Sequence, residues 1–387
     1  MVYRRYFSAE SHPNSTALLL GGRFGPNMDP RVREHAETLV DWSARIEAGD
    51  NVVVSVAEGA HELGVATAAV LGERGANLLA TYDSAEIDRA YLTAHDSDFD
   101  DDPEHQLSLY ERADSVLRLG GGRNTAENAD VAADKRAARR QATQGVREAR
   151  LDTDWVSTVH PTRSLAQQAG MGYADYRDFV YDAVLRDWES LADEMGRLKQ
   201  LLDDGETVRI VNEGTDLRLR VDGRSAVNSC ASVAYDSHNL PSGEVFTAPY
   251  ATEGHVTFDV PMTVRGEPIR NARLEFEDGE VTDVAAAQGE GVVREVVETD
   301  EGARRLGELG VGMNRGIGRV TDNILFDEKM GGTVHLALGR AYDANLPDGE
   351  SGNDSAVHVD LITDMRGDSR LEVDGEVVQE DGTFRWE

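Results

Sequence analysis

The sequence predicts an α/β N-terminal domain with a mostly parallel sheet, followed by a β-rich α+β C-terminal domain. Three observations lead there. Up to about residue 204, apolar strand-like runs alternate with stretches of helical periodicity, the pattern of a parallel sheet covered on both faces. After Asp203-Asp204-Gly205 the texture changes to short alternating strands joined by glycine turns. In that second half, histidines and single acids sit inside otherwise apolar segments. The expected division is 28–204 and 205–387, with 1–27 as a disordered or mis-annotated extension.

Asp29 followed by Pro30 is a helix start, and Val32, Ala36, Leu39, Val40 and Ile46 follow at helical spacing. Val52–Val56 reads as a buried strand, 61–74 as a helix stopped by Gly75, and 77–82 as a strand. Residues 84–93 read as a helix that Asp83 or Ser84 would cap, 115–119 as the third strand, 126–150 as one long helix, and 155–160 as the fourth strand. Tyr173–Leu202 is an amphipathic helix or helix pair. The loop at 96–102 is densely acidic but lacks the glycine and terminal glutamate of an EF-hand. Gly120-Gly121-Gly122 lies between a strand and a helix, yet it completes neither a dinucleotide fingerprint nor a P-loop, so it reads as a tight turn. Beyond 205, 208–212 and 216–221 form a hairpin closing on Asp222-Gly223. Further strands fall at 256–260, 273–276, 281–284, 334–338 and 357–363, with a helix at 292–305 and hairpin turns at Asp374-Gly375 and Asp381-Gly382.

The 387 residues carry 72 acidic and 39 basic side chains, a net charge of -33, and only Lys135, Lys199 and Lys329 among the basic ones are lysines. Such a surface repels nucleic acid phosphates and anionic lipid, which excludes both as partners. Acid spread over the whole chain with few lysines reads as adaptation to a salt-rich cytoplasm, as in a halophilic archaeon, because molar salt screens the self-repulsion. One cysteine, Cys230, permits no internal disulfide and reads as a small packed residue. No stretch approaches the roughly 18 apolar residues needed to span a bilayer, and the start is too polar for a signal peptide. The expected location is cytoplasmic, with Met28 as the initiator.

Five segments combine acids and imidazoles with apolar surroundings: Glu244 in 240–249, Glu308 in 306–310, Glu328 in 324–330, His335 in 334–342, and His358 with Asp360 in 357–361. His358 and Asp360 are two apart on a strand and therefore share a face. A His and an Asp facing an apolar interior are costly to bury unpaired, and metal coordination removes that cost. Imidazole with carboxylate suits zinc, cobalt or manganese. Two imidazoles with three or more carboxylates exceed one tetrahedral zinc and suit two ions sharing a carboxylate. A buried, satisfied histidine is the plain alternative for each. His35, His61, His95, His105 and His255 lack an acid partner in an apolar strand and read as packing or surface residues.

These segments, together with the opening Met28-Asp29-Pro30-Arg31-Val32-Arg33-Glu34-His35-Ala36, resemble the thermophilic-aminopeptidase family of metallopeptidases. The likeness rests on Glu244-Val245-Phe246-Thr247-Ala248-Pro249, Leu325-Phe326-Asp327-Glu328, His335-Leu336-Ala337-Leu338-Gly339 and His358-Val359-Asp360, in that order. It implies that Glu244, Glu308, Glu328, His335, His358 and Asp360 hold two divalent ions (zinc, cobalt, manganese or magnesium), with Glu308 bridging. It further implies that Glu308 or Glu328 takes the proton of the attacking water and that Tyr342 steadies the oxyanion. The implied activity is removal of N-terminal residues from small peptides by a homodimer. A non-catalytic metal-binding protein of the same fold is the alternative. The sequence departs from many relatives between Glu328 and His335, where Lys329-Met330-Gly331-Gly332-Thr333-Val334 is longer and richer in glycine.

Overall fold

Asp29 opens the first helix, Pro30–Glu37, by accepting the Arg31 amide at 3.1 Å, and a π-helical turn continues it over Thr38–Ser43. The computed structural model describes residues 28–347 and 349–387. The extension expected at 1–27, and with it the reading of Met28 as initiator, lies outside the described residues.

The first sheet is parallel, in the spatial order Asn77–Asp83, Asn51–Ala57, Ser115–Gly120, Asp154–Val159 and Asn239–Leu240. Its last, two-residue strand comes from beyond residue 205, so the second half of the chain reaches back into the first sheet. The helix His61–Arg74 ends where expected, at Gly75 with φ +80°, a conformation glycine adopts without steric cost. Tyr173–Val184 and Trp188–Asp204 are the expected helix pair.

Several expectations need correction. Residues 126–150 are two helices, Ala133–Ala142 and Gln144–Leu151, preceded by turns. They part at Thr143, whose hydroxyl donates to the Arg139 carbonyl at 3.0 Å and competes with the helix ladder. Ser84 precedes the helix Ala85–Ala94 without capping it; its hydroxyl donates instead to Glu58 at 3.0 Å. Short helices at Glu104–Tyr110 and Arg163–Gln168 were not foreseen. The first hairpin of the second half turns at Glu213-Gly214, not at Asp222-Gly223. The helix expected at 292–305 covers Glu290–Val297. Asp300 ends that region by accepting from the amides of Ala303 and Ala356 and from the Ser355 hydroxyl, each at 2.8 Å.

The second half forms two large antiparallel sheets and a two-stranded ribbon of Met262–Val264 with Glu267–Ile269. One has eight strands, running from Glu280–Ala285 at one edge to Thr383–Phe384 at the other. The other has five, in the order His358–Asp364, Thr333–Gly339, Leu306–Gly312, Glu244–Thr247 and Val227–Ser229. Buried apolar side chains run without interruption from Leu117 and Val156 of the parallel sheet, through Tyr176 and Met195 of the helix pair, to Val311 and Leu336 of the five-stranded sheet.

Candidate metal centre

One face of the five-stranded sheet gathers the polar residues. Paired residues across a sheet share a face, as do residues two apart along a strand. Gly312 pairs with Glu244, Gly310 with Phe246 and with His335, Glu308 with Ala337, Ala337 with Asp360, and Gly339 with His358. That face therefore alternates acids and imidazoles with glycine and alanine, which leaves room for the long side chains. A Cβ on Gly310 would overlap the imidazole of His335, so glycine is required for the ring to lie across its neighbour.

The ligand-type atoms converge. His335 Nε2 lies 3.0 Å from Glu308 Oε1 and 3.7 Å from Glu244 Oε2. His358 Nε2 is 3.5 Å from both Glu308 Oε2 and Asp360 Oδ1. The other His358 nitrogen, Nδ1–H, donates to the Arg340 carbonyl at 2.8 Å, which leaves Nε2 with its lone pair toward the acids. Glu308, His335 and Asp360 offer ligand atoms that all lie within 4.8 Å of one another. Glu244 Oε2 and His335 Nδ1 are buried without a hydrogen-bond partner. An oxygen-rich set with an orphaned carboxylate oxygen fits a divalent ion.

The electrostatics point the same way. Burial pushes the carboxyls of Glu244, Glu308 and Glu328 upward. Burial opposes charge on His335 too, but the Glu308 hydrogen bond and the carboxylate field raise it to about 10. His358 rises to about 9 against the same burial, through Asp360 and Glu308. Asp360 stays below the ordinary carboxylate range because its histidine and lysine neighbours outweigh burial. The cage draws in positive charge, whether a proton or a metal ion.

Glu328 follows the short helix Ile324–Asp327 and reaches the same cavity. The preceding Asp327 is structural: it accepts from the Thr321 amide and hydroxyl, each at 2.8 Å, and from the Asn323 amide at 3.1 Å. Tyr342 packs its ring 4.9 Å from that of His358 and 5.9 Å from that of Phe246. Burial and the nearby carboxylates push its phenol up, so it remains a donor. The structure thus brings all seven expected site residues to one place.

Sequence reasoning missed the far wall and the base of the site. The cavity, of about 280 Å³, is also lined by Trp155, Asp236, His238 and Phe246. Trp155 and His238 stack at 4.5 Å, joining the parallel sheet to the metal-type residues. Lys329 is fully buried and pairs with Glu328 and, at 3.4 Å, with Glu244. Its signal was available: a lysine beside a candidate ligand in a chain with three. Cys230 is buried and free, its thiol pushed up to about 12 by burial.

The sequence model of the thermophilic metalloprotease family (M29) matches residues 28–384. Aminopeptidase T of Thermus aquaticus is 42% identical over 159 residues, covering 38% of this chain and 37% of that protein, so the matched segment spans little more than a third of this relative. The solved structure of wild-type AmpT from Thermus thermophilus superposes with a TM-score of 0.80 at 25% identity, over 92% of this chain and 99% of that one. A 2,5-dihydroxypyridine dioxygenase from Pseudomonas putida KT2440 shares the fold, with a TM-score of 0.55 at 15% identity over 91% of this chain and 96% of that one.

Proposed function

Because the chain belongs to the thermophilic metalloprotease family (M29), we propose that it is a metal-dependent aminopeptidase that releases N-terminal residues from small peptides. The observation that carries the reading is the convergence of Glu308, His335 and Asp360 beneath a cavity large enough for a residue or two. A divalent ion held there supplies Lewis acidity, acidifying a water and polarising the scissile carbonyl. His335 and His358 present Nε2, Glu308 and Asp360 present carboxylate oxygens, and Glu244 adds its orphaned Oε2. The two-ion form implied by the resemblance would draw the rest of its ligands from Glu244 and Glu328.

Glu308 or Glu328 accepts the proton of the attacking water; burial raises both above the ordinary carboxylate range, which strengthens each as a base. Tyr342 donates to the oxyanion as the carbonyl becomes tetrahedral. The acid-rich cage attracts the cationic N-terminus of a peptide, and Phe246 and Trp155 give its side chain an apolar wall. Homodimer formation rests on the resemblance, and a salt-rich cytoplasm on the charge of -33. No helix among the described residues is long and apolar enough to cross a membrane.

The Glu308→Gln variant tests the assignment, because it keeps the shape and removes the charge. Peptidase activity falls by at least about 100-fold and metal content drops. Full activity at normal metal content would contradict the mechanism.

A further inference from the structure

We propose that Arg118 binds the C-terminal carboxylate of the peptide substrate, so that the protein prefers short peptides with a free carboxyl end. The inference rests on the aminopeptidase reading and concerns where the rest of the substrate lies. Arg118 stands inside Ser115–Gly120, a central strand of the parallel sheet, where apolar residues are the rule. It is exposed, and it lines a second cavity of about 580 Å³ together with Ser55 and Ser157. In a chain with 72 acidic residues its guanidinium makes no ion pair among the described residues. Two acids of that cavity are engaged elsewhere: Asp83 accepts from Ser55, and Glu58 accepts from the Ser84 hydroxyl at 3.0 Å and the Arg123 amide at 3.2 Å. A second guanidinium stands nearby. Arg150 lies over the Trp155 ring at 5.1 Å, its Nη1 is buried without a partner, and burial and then the Arg118 charge hold its pKa below the ordinary arginine value. Two unpaired guanidinium groups within each other's field favour an anion.

The second cavity adjoins the metal centre along one face of the parallel sheet. Ser55 pairs with Arg118, Arg118 with Ser157, and Ser157 with Asn239, so these residues form a row on one face. Ser55, Arg118 and Ser157 line the second cavity, whereas Asn239 lines the metal cavity. Trp155, two residues before Ser157 and on the same face, lines the metal cavity as well. The short helix Ile324–Asp327 repeats the pattern: its Leu325 lines the second cavity, and Glu328, one turn on, lines the metal cavity. From Asn239 to Arg118 is two strand spacings, about 10 Å, which about three extended residues span. A peptide with its N-terminus in the metal cavity therefore brings its carboxylate to Arg118 when it is about four residues long. The acid-rich cage that attracts the ammonium end repels the carboxylate end, and the Arg118 fork offsets that repulsion with a charge-assisted contact. Beyond Arg118, on the side away from Asn239, Glu58, Asp83 and Asp88 turn the cavity acidic, so the carboxylate stops at the arginine.

The test compares one tetrapeptide as its free acid and as its C-terminal amide, with an aminoacyl-p-nitroanilide alongside, on the full metal-loaded chain in molar KCl. Wild type cleaves the acid with a kcat/KM at least about 10-fold above that of the amide, the difference lying in KM. Arg118→Gln brings the ratio to about one by raising KM for the acid, and Arg118→Lys, which keeps the charge without the fork, retains part of the preference. Equal kcat/KM for acid and amide in wild type overturns the proposal while leaving the aminopeptidase reading intact. A folded Arg118→Gln that keeps the wild-type ratio also overturns it, because a merely structural role lowers both substrates alike. If Arg118→Gln does not fold, the wild-type ratio and its fall in Arg118→Lys decide. A metal-loaded wild type that cleaves neither the peptides nor the p-nitroanilide overturns the aminopeptidase reading as well, so the two failures are distinguishable.

Discussion

At the scale of single residues, the site depends as much on what is small as on what coordinates. His335 lies over Gly310, and a methyl group there would collide with its ring. Gly310→Ala is therefore expected to turn the imidazole aside, weaken metal binding by about 10- to 100-fold, and lower activity in parallel while the chain stays folded. Metal titration alongside circular dichroism checks this; unchanged affinity would show that His335 is not held by its neighbour. His358 and Asp360 were legible from the sequence because two-residue spacing on a strand needs no tertiary information. Lys329 left only the signal of a rare lysine beside a candidate ligand; its pairing was not legible, because that lies in contacts with Glu244, far away in the chain.

At the scale of elements, strands and helices with clear periodicity were legible and those shaped by their neighbours were not. Leu306–Gly312 contains Gly307, Gly310 and Gly312, a composition that argues against a strand, yet it lies near the middle of the site sheet. Its glycines answer to close contacts: a Cβ would meet the Arg340 carbonyl at Gly307, the His335 ring at Gly310 and the Met330 carbonyl at Gly312. The helix expected at 126–150 failed for a local reason, the back-bonding of Thr143. The seat of the first helix on the parallel sheet carries a pH dependence of its own. His35 Nε2 lies 2.7 Å from the Thr158 hydroxyl, and the ring is completely buried. Burial, with a smaller contribution from His160, lowers His35 to about 3, and burial lowers His160 to about 4. Both stay neutral in the fold, while the unfolded chain takes up their protons below about pH 6.5. Their contribution is present above pH 6.5 and lost as pH falls toward 4, at most about 1.4 kcal/mol per histidine per pH unit. Denaturant unfolding between pH 7 and 4 checks the slope, which His35→Gln should flatten; an unchanged slope would remove His35 from the account.

At the scale of the whole molecule, two features set behaviour: the charge and the shared core. A net charge of -33 repels itself across the surface, and raising salt from about 0.1 M to 1 M shortens the screening length from about 10 Å to about 3 Å. The melting temperature is expected to rise steadily with KCl over that range; a flat or falling curve would contradict the reading of the surface as salt-adapted. The charge was fully legible in the sequence, whereas the closeness of the two halves was not. Asn239–Leu240 joins the parallel sheet, and Trp155 of that sheet stacks on His238 at the edge of the metal cavity, so the site takes one wall from each half. The decisive measurement for the whole account is hydrolysis of aminoacyl-p-nitroanilides in molar KCl, before chelation, after it, and after zinc or cobalt is restored. The account predicts activity that disappears with the chelator and returns with the metal. A folded, metal-loaded protein that cleaves no aminoacyl substrate would contradict it and leave a metal-binding protein of the same fold.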